Sequence, residues 1–205
     1  TYNLMAYVGT LNTTSNQFSI LPLTPTALTF IQQPTNTVAG QVIAPAITVM
    51  LKDQANNPMS GLIVSITTTN GAPINGTVNR TTASDGIATF SDLIINLAGA
   101  GCTLKVFIGG INATSTTFNI TPAGANKLVF LQQPTNSNAY SVISPTVTVA
   151  IQDQYSNTVN SATNAVTLAI ANNPGGGSLS GTITRNAVNG IAAFNDIWIT
   201  SGSTG

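Results

Sequence analysis

Five aspartates supply every carboxylate side chain of this 205-residue sequence, which contains neither Glu nor His. Without His, the chain cannot form a Ser-His-Asp or Cys-His catalytic group or a His-based metal site. A glycosidase would need two aspartates close together, and the five are scattered along the sequence. These absences predict a protein that is not an enzyme and that needs no cofactor.

Two of the aspartates open similar segments: Asp53 is followed by Asn57, and Asp153 is followed by Asn157. A carboxylate in such a position commonly accepts backbone N–H groups in an Asx-type turn. The alternative is a calcium site completed by backbone carbonyls. It would be a weak site, because one carboxylate per turn is too few for tight binding. Asp53 and Asp153 are therefore the candidate metal ligands of the sequence.

Three other features share residue types with functional motifs. The run Gly175–Gly177 has no following Lys and no helix to hold a phosphate, which favours a hairpin loop. Trp198 and Tyr155 could stack on a sugar, but Trp198 lies between two isoleucines, which favours packing. Cys102 occupies an apolar strand position, and we expect a buried thiol there rather than a reactive one.

The sequence also contains Asn-x-Ser/Thr triplets, which are acceptors for N-linked glycans in secreted proteins. Because Asn, Ser and Thr are abundant, chance alone would produce about as many. Two of the triplets occupy the same position in a repeat described below. The candidate glycosylation sites are Asn12, Asn75, Asn79, Asn112 and Asn119.

An internal repeat organises the whole chain. The string QQPTN occurs at residues 32–36 and again at 132–136, an offset of 100. Further on, residues 86–92 return at 190–196, an offset of 104, and we expect the four extra residues at Asn172–Gly177. A long period made of units that can each close a core indicates an array of small domains.

The repeat divides the chain into three predicted parts. Residues 1–22 match the last two strands of a preceding unit, because Phe18 and Ile20 lie 100 positions before Phe118 and Ile120. Residues 27–122 form a complete unit. Residues 126–205 form a unit that lacks its last two strands.

Composition excludes several classes of partner. Only 5% of the residues are charged and the net charge is zero, which disfavours nucleic acids and anionic membranes. The hydrophobic fraction of 42% indicates buried cores rather than disorder. No apolar run approaches the roughly 18 residues of a spanning helix, so we expect no membrane insertion.

Periodicity predicts strands throughout, with apolar residues at alternate positions and turn signals about every ten residues. Seven short strands in one unit indicate a two-sheet sandwich. The predicted strands of the complete unit lie near 27–32, 45–52, 61–68, 76–82, 86–95, 102–109 and 114–121. The predicted core consists of Ile47, Val49, Leu51, Phe90, Leu104, Val106, Phe118 and Ile120.

Four segments carry a resemblance to a known family: LVFLQQPTN, PTVTVAIQDQYSN, VTLAIANNPGGGSLSGTITRNAVNGIAAFNDIWI and TSTTFNI. They resemble the bacterial Ig-like, invasin-like tandem repeats of large secreted and cell-surface proteins. The resemblance implies an all-β array of immunoglobulin-like sandwiches with about seven antiparallel strands per unit, located outside the cell or on its surface. It implies no shared catalytic or binding residues. Cys102 stands where that family usually has Tyr or Phe.

Two functions are compatible with this organisation. The first is a structural one: a segment of an extracellular filament or stalk, whose units are joined by Pro-containing linkers at residues 21–25 and 121–124. Its partners would be copies of itself or neighbouring repeats, arranged head to tail. The alternative is a binding module that recognises surface glycans, either an adhesin or a carbohydrate-binding accessory domain of a secreted protein.

The two ends of the sequence are complementary. Residues 2–20 match the two strands that the unit at 126–205 lacks. Either the sequence is a window from a longer polypeptide with a two-unit repeat, or separate subunits complete one another by donating strands. Both arrangements give a linear filament with non-closing contacts.

Overall fold

The computed structural model describes residues 1–20 and 23–201. These residues form strands, turns and loops and include no helix, which confirms the all-β class. Accordingly, the described residues contain no helix with the length and hydropathy needed to cross a membrane. Of the predicted linkers, Leu21 and Pro22 lie outside the described residues.

The chain opens with a β-hairpin, which we call the N-terminal hairpin (residues 2–20). Strands β1 (Met5–Val8) and β2 (Leu11–Thr14) pair antiparallel across a tight turn. A further bridge joins Tyr2 to Phe18. Every residue of this hairpin is exposed to solvent, so it packs against no core in this structure.

The first unit (residues 27–122) contains twelve short strands, with β3 beginning just before it. They form sheets in the orders β3-β5-β9, β13-β12-β6-β8, β11-β14-β4 and β10-β7, and the β14–β4 pairing is parallel. The strands are β3 (Pro25–Gln32), β4 (Thr37–Val38), β5 (Ile47–Asp53), β6 (Ile63–Thr68), β7 (Ile74–Asn75), β8 (Asn79–Thr81), β9 (Ile87–Phe90), β10 (Ile94–Ile95), β11 (Gly99–Cys102), β12 (Leu104–Ile108), β13 (Ile111–Thr114) and β14 (Phe118–Thr121).

The core of the first unit lies between these sheets. Strand β5 alternates strictly, with Ile47, Val49 and Leu51 buried and the residues between them half-buried. All eight predicted core residues are buried, and none is more than 3% exposed. Val64 and Leu104 from one sheet join Val49 and Phe90 from another in a single apolar cluster, which is the packing of a sandwich.

The second unit (residues 126–201) repeats the strands of the first from β3 to β10, except that it has no strand at the position of β4. Val147 pairs with Phe194 as Ile47 pairs with Phe90. The described part of this unit contains no counterparts of β11 to β14. Its strands are β15 (Lys127–Gln132), β16 (Val147–Gln152), β17 (Ala165–Thr167), β18 (Leu179–Ser180), β19 (Thr184–Asn186), β20 (Ile191–Phe194) and β21 (Trp198–Ile199).

The structure divides three predicted strands more finely than the periodicity did. The spans 86–95, 102–109 and 114–121 each cover parts of two strands that belong to different sheets. Between β9 and β10 the chain turns outward at Asp92, whose carboxylate accepts a hydrogen bond from the Thr77 hydroxyl (2.7 Å) and pairs with Arg80 (2.9 Å). The buried positions shift by one residue at this turn, from Ala88 and Phe90 to Leu93 and Ile95, and the predicted strand 86–95 overlooked this break in the alternation.

The extra residues of the second unit are not confined to Asn172–Gly177, contrary to expectation. Val64 lies opposite Arg80, and Val166 lies opposite Arg185, which gives offsets of 102 and 105. Two of the extra residues therefore precede Val166. They form an additional turn in which the Ala162 N–H donates to the Val159 carbonyl (2.8 Å).

Candidate functional site

The N-terminal hairpin has the conformation of the last strands of the first unit. Its pairing, Met5 with Thr14 through Val8 with Leu11, repeats that of β12 and β13 at an offset of 100. The Leu4 N–H donates to Ser15 Oγ at 2.9 Å, as the Leu104 N–H donates to Ser115 Oγ at 2.9 Å. The N-terminal hairpin therefore has the same internal geometry as the β12–β13 hairpin of the first unit.

Burial distinguishes the two hairpins. Leu4 is 67% exposed and Ile20 is 69% exposed, whereas their counterparts Leu104 and Ile120 are 0% and 2% exposed. Because the N-terminal hairpin has the same apolar face without a core to cover it, it presents a hydrophobic surface of the kind that marks an interaction site.

The second unit carries a complementary open groove of about 710 Å³. Its apolar lining includes Phe130, Ile143, Val147, Leu168, Leu179 and Ile197. Leu168 is the counterpart of Ile66, because each donates its N–H at 2.9 Å to the equivalent carbonyl, Ile183 and Val78 respectively. In the first unit β12 pairs with β6 at Ile66, so the groove lies where a strand equivalent to β12 would pair.

Polar groups of the first unit show how the groove would hold a last strand. The Asn36 side chain accepts the Asn119 N–H at 2.7 Å, and Gln33 accepts the Thr116 N–H at 3.0 Å. The counterpart of Asn36 is Asn136, which lines the groove. The groove therefore combines an apolar floor with the side chain of Asn136, whose counterpart Asn36 accepts a backbone N–H, and this suits the binding of an extended chain by strand addition.

The two units meet at a junction built by the turn at Asp153–Asn157. The Asn157 side chain donates to the Asn96 carbonyl (2.7 Å) and accepts the Ala98 N–H (2.9 Å). The Tyr155 ring packs on the core of the first unit and lies against Gly40, where even a Cβ would overlap the ring. The junction thus fixes the second unit to the end of the first.

Asp153 is the buried centre of this turn. Its carboxylate accepts the backbone N–H groups of Tyr155 and Asn157, both at 2.9 Å, and that of Ala123 in the linker, also at 2.9 Å. Burial raises the pKa of this carboxyl, but the hydrogen bonds outweigh burial and hold the pKa below its ordinary value. Asp153 therefore ties the linker to the turn.

Asp53 forms the same turn in the first unit. It accepts the N–H groups of Ala55 and Asn57, both at 2.8 Å, and the bond from the Asn57 backbone lowers its pKa. These contacts confirm the Asx-type interpretation for Asp53 and Asp153. Both carboxylates already accept backbone N–H groups. Calcium binding at Asp53 and Asp153 stays a prediction. The described residues include no group of three or more acidic, His or Cys side chains that could hold a metal.

The five sequon asparagines are all exposed. Two of them already bind neighbours: Asn79 accepts the Ser65 hydroxyl at 2.7 Å, and Asn119 accepts the Gly101 N–H at 2.9 Å. Asn12 and Asn112 lie at equivalent positions in β2 and β13. Glycosylation of these sites stays a prediction.

The other residues that share types with functional motifs lie in a closed loop, in strands or at the junction. Asn173 closes the loop at Gly175–Gly177 by accepting the Gly177 N–H at 2.9 Å. Trp198 is half-buried on β21, opposite Ser180. Cys102 is a buried thiol at the end of β11. Of the two aromatic residues considered for sugar stacking, Tyr155 is engaged at the junction between the units.

The sequence did not reveal the junction. Asn157 was recognised only as a member of a turn and Tyr155 only as a candidate for sugar stacking. Asn157 contacts residues 59 and 61 positions before it, and Tyr155 contacts Gly40, which lies still further back in the sequence. One signal was present: position 55 is Ala where position 155 is Tyr, and position 40 is Gly where position 140 is Tyr. Its meaning depends on knowing that these loops face one another.

No family model matches the sequence, and no curated protein matches it. Among similar solved structures, the Escherichia coli adhesin FdeC is 18% identical, with 90% of this chain and 57% of that chain covered and a TM-score of 0.42. The Yersinia pseudotuberculosis adhesin InvE is 20% identical, with 85% and 51% covered and a TM-score of 0.42. Domains 4–9 of the surface layer protein SbsC are 14% identical, with 98% and 35% covered and a TM-score of 0.41. The chain spans only about a third to three-fifths of the length of these structures.

Proposed function

We propose that this chain is a segment of an extracellular or cell-surface filament or stalk built of immunoglobulin-like units. In this proposal the open groove of the second unit is filled by a hairpin equivalent to residues 2–20, supplied by the following copy. By copy we mean either the next repeat of one polypeptide or a separate chain. The observation that carries the proposal is the N-terminal hairpin, which already has the register and the Ser15 contact of the hairpin that completes the first unit.

Both partners in this contact have reason to associate. In one copy alone, Leu128 is 58% exposed, whereas Leu28, on the strand β3 that contacts β13 in the first unit, is 6% exposed. Leu4 on the hairpin is exposed to a similar extent. Joining them buries apolar surface on both sides and pairs open strand edges, and both effects favour association.

The arrangement is head to tail. The hairpin lies at the start of the chain and the groove lies in the second unit, so each copy offers one of each to different neighbours. Such heterologous contacts generate a linear assembly rather than a closed dimer. Each contact would transmit tension from one unit to the next, which is the task of a stalk or filament.

A pair of charge substitutions tests the proposal with the full 205-residue chain. Leu4→Lys places a charge on the face that would enter the groove, and Met5→Lys places the same charge on the opposite face. The control is matched because the counterpart of Met5 in the complete first unit is Lys105, which is half-buried. Neither substitution touches a core in one copy alone, since both residues are exposed.

We expect the wild-type chain and Met5→Lys to form linear oligomers in sedimentation velocity experiments and in electron micrographs, and Leu4→Lys to stay monomeric. A wild-type chain that is monomeric at high concentration would refute the proposal, and so would equal behaviour of the two variants. The intact mass of the native protein then shows whether the following copy is a separate chain or the next repeat of one polypeptide. A mass near 20.9 kDa indicates separate chains, and a much larger one indicates a covalent array.

A further inference from the structure

The two units differ at two positions. One lies at the far end of a unit and the other in its near turn, so the far end of one unit meets the near turn of the next. The first unit has Gly40 at its far end and Ala55 in its near turn. The second unit has Tyr140 and Tyr155 at the same two positions. In the junction within this chain, the Tyr155 ring lies directly on Gly40.

Tyr140 occupies the backbone position of Gly40. Its N–H donates to the Ile199 carbonyl at 2.9 Å, as the Gly40 N–H donates to the Ile95 carbonyl at 3.1 Å. Its φ is 63°, a left-handed conformation that suits Gly40 and is disfavoured for a bulky residue. The side chain is nevertheless 73% exposed, so nothing among the described residues of one copy accounts for a tyrosine there.

The near turn of the first unit is folded and uncovered. Ala55 and Asn57 make the same backbone bonds to Asp53 that Tyr155 and Asn157 make to Asp153. Both Ala55 and Asn57 are exposed, whereas Asn157 is only 7% exposed because the first unit covers it. This turn therefore has the shape of a junction without a neighbour.

We propose that Tyr140 of one copy packs on Ala55 of the following copy and so forms a second junction. The inference rests on the proposed function, because a hairpin inserted into the groove of the second unit leads its own first unit to the place beyond Tyr140. The Asn57 side chain then donates to the Thr200 carbonyl, the counterpart of the Asn96 carbonyl that binds Asn157. The counterpart of Ala98 is Gly202, which lies outside the described residues.

Each junction contains one tyrosine ring, Tyr155 within the chain and Tyr140 between copies, and the two rings belong to opposite sides of their junctions. Within the chain the ring comes from the following unit, and between copies it comes from the preceding one. Two rings would collide, because the ring of Tyr155 leaves no room for a Cβ at Gly40. One second unit therefore cannot directly follow another, because Tyr140 and Tyr155 would occupy the same junction. The contact selects an alternating order of first and second units.

A substitution cycle tests this pairing by measuring the dissociation constant between copies by sedimentation equilibrium. Tyr140→Gly removes the ring, and we expect binding to weaken on the order of tenfold. Ala55→Tyr adds a second ring, and we expect weakening through collision. The double variant Tyr140→Gly with Ala55→Tyr recreates the junction within the chain, and we expect it to bind more tightly than either single variant. Tyr140→Phe keeps the ring and serves as the conservative control.

The outcomes separate the two proposals. If Leu4→Lys abolishes association but Tyr140→Gly leaves it unchanged, the second junction is wrong and the hairpin contact stands. A double variant that binds no better than the single ones also contradicts the pairing. If the wild-type chain does not associate, the proposed function fails and the junction fails with it. Urea unfolding at low concentration confirms that each variant is folded, since Tyr140 and Ala55 are exposed in one copy.

Discussion

The same substitution at two equivalent leucines should have opposite consequences. Leu104 and Leu4 lie 100 positions apart, make the same bond to a serine hydroxyl and differ in burial, at 0% and 67% exposed. We expect Leu104→Ala to destabilise the first unit at every protein concentration. We expect Leu4→Ala to leave the dilute chain as stable as the wild type and to weaken association between copies.

The magnitude follows from the cavity that each change leaves. Removing a fully buried leucine side chain costs about 2–5 kcal/mol, through lost transfer energy and an unfilled cavity. For Leu104→Ala this is a loss in the free energy of unfolding. If Leu4 becomes as buried as Leu104 in the assembled state, the same cost falls on binding. It then raises the dissociation constant between about thirtyfold and several thousandfold.

Two measurements check the comparison. Urea unfolding at a concentration where the chain is monomeric gives the stability of each variant, and sedimentation equilibrium gives the association constant. Equal destabilisation by Leu4→Ala and Leu104→Ala in dilute solution would show that the hairpin is already packed in one copy. Unchanged association of Leu4→Ala would show that Leu4 does not enter a core.

Three further predictions concern the units themselves. Phe90→Ala empties a fully buried site in the first unit, so calorimetry should show a loss of about 3–5 kcal/mol, and an unchanged melting curve would contradict the core assignment. Asn157→Ala removes both side-chain bonds to the first unit, so small-angle scattering should show a wider range of angles between the units; identical scattering would mean that these bonds do not fix the junction. The lowered pKa of Asp153 stabilises the fold above the ordinary carboxyl value of about 3.9, and this stability is lost as the pH falls through the lowered pKa. Asp153→Asn should therefore be less stable at pH 7 and flatten the acid limb of the stability curve, and an unaltered limb would refute this role.

The sequence predicted the parts of the fold that depend on alternation and repetition. Strict alternation in β5 and β12 identified core residues such as Val49 and Val106, because a strand with one buried face leaves that pattern in the sequence. The change of sheet near Cys102 left no such signal, because Cys102, Leu104 and Val106 are buried at alternate positions while the backbone exchanges hydrogen-bonding partners. Near Asp92 the alternation breaks by one residue, between Phe90 and Leu93, and the predicted strand overlooked that break.

The candidate site was predictable only in the part that depends on the repeat. The match between residues 2–20 and 102–120 indicated complementary ends, and the identical pairing of β1–β2 and β12–β13 agrees with that comparison. The junction was not predictable, because its energy comes from contacts between loops that are far apart in sequence. A single tyrosine in a turn is compatible with exposure, sugar stacking or packing. Only the position of Gly40 beneath the ring decides among them.

The hairpin alone would not determine the order of units in a filament. Residues 2–20 and 102–120 have the same register, so each could pair with the strands of either unit. Exchange of equivalent elements between neighbours is a common way for tandem repeats to misassemble. The junction within the chain and the proposed junction between copies each add a discriminating contact next to a hairpin, because a ring on one side requires a small residue on the other. A unit shifted by one position would bring Tyr155 against Tyr140, or leave Gly40 opposite Ala55 without a ring. In the proposed filament, the collision in the first case and the unfilled space in the second both favour the alternating order of first and second units.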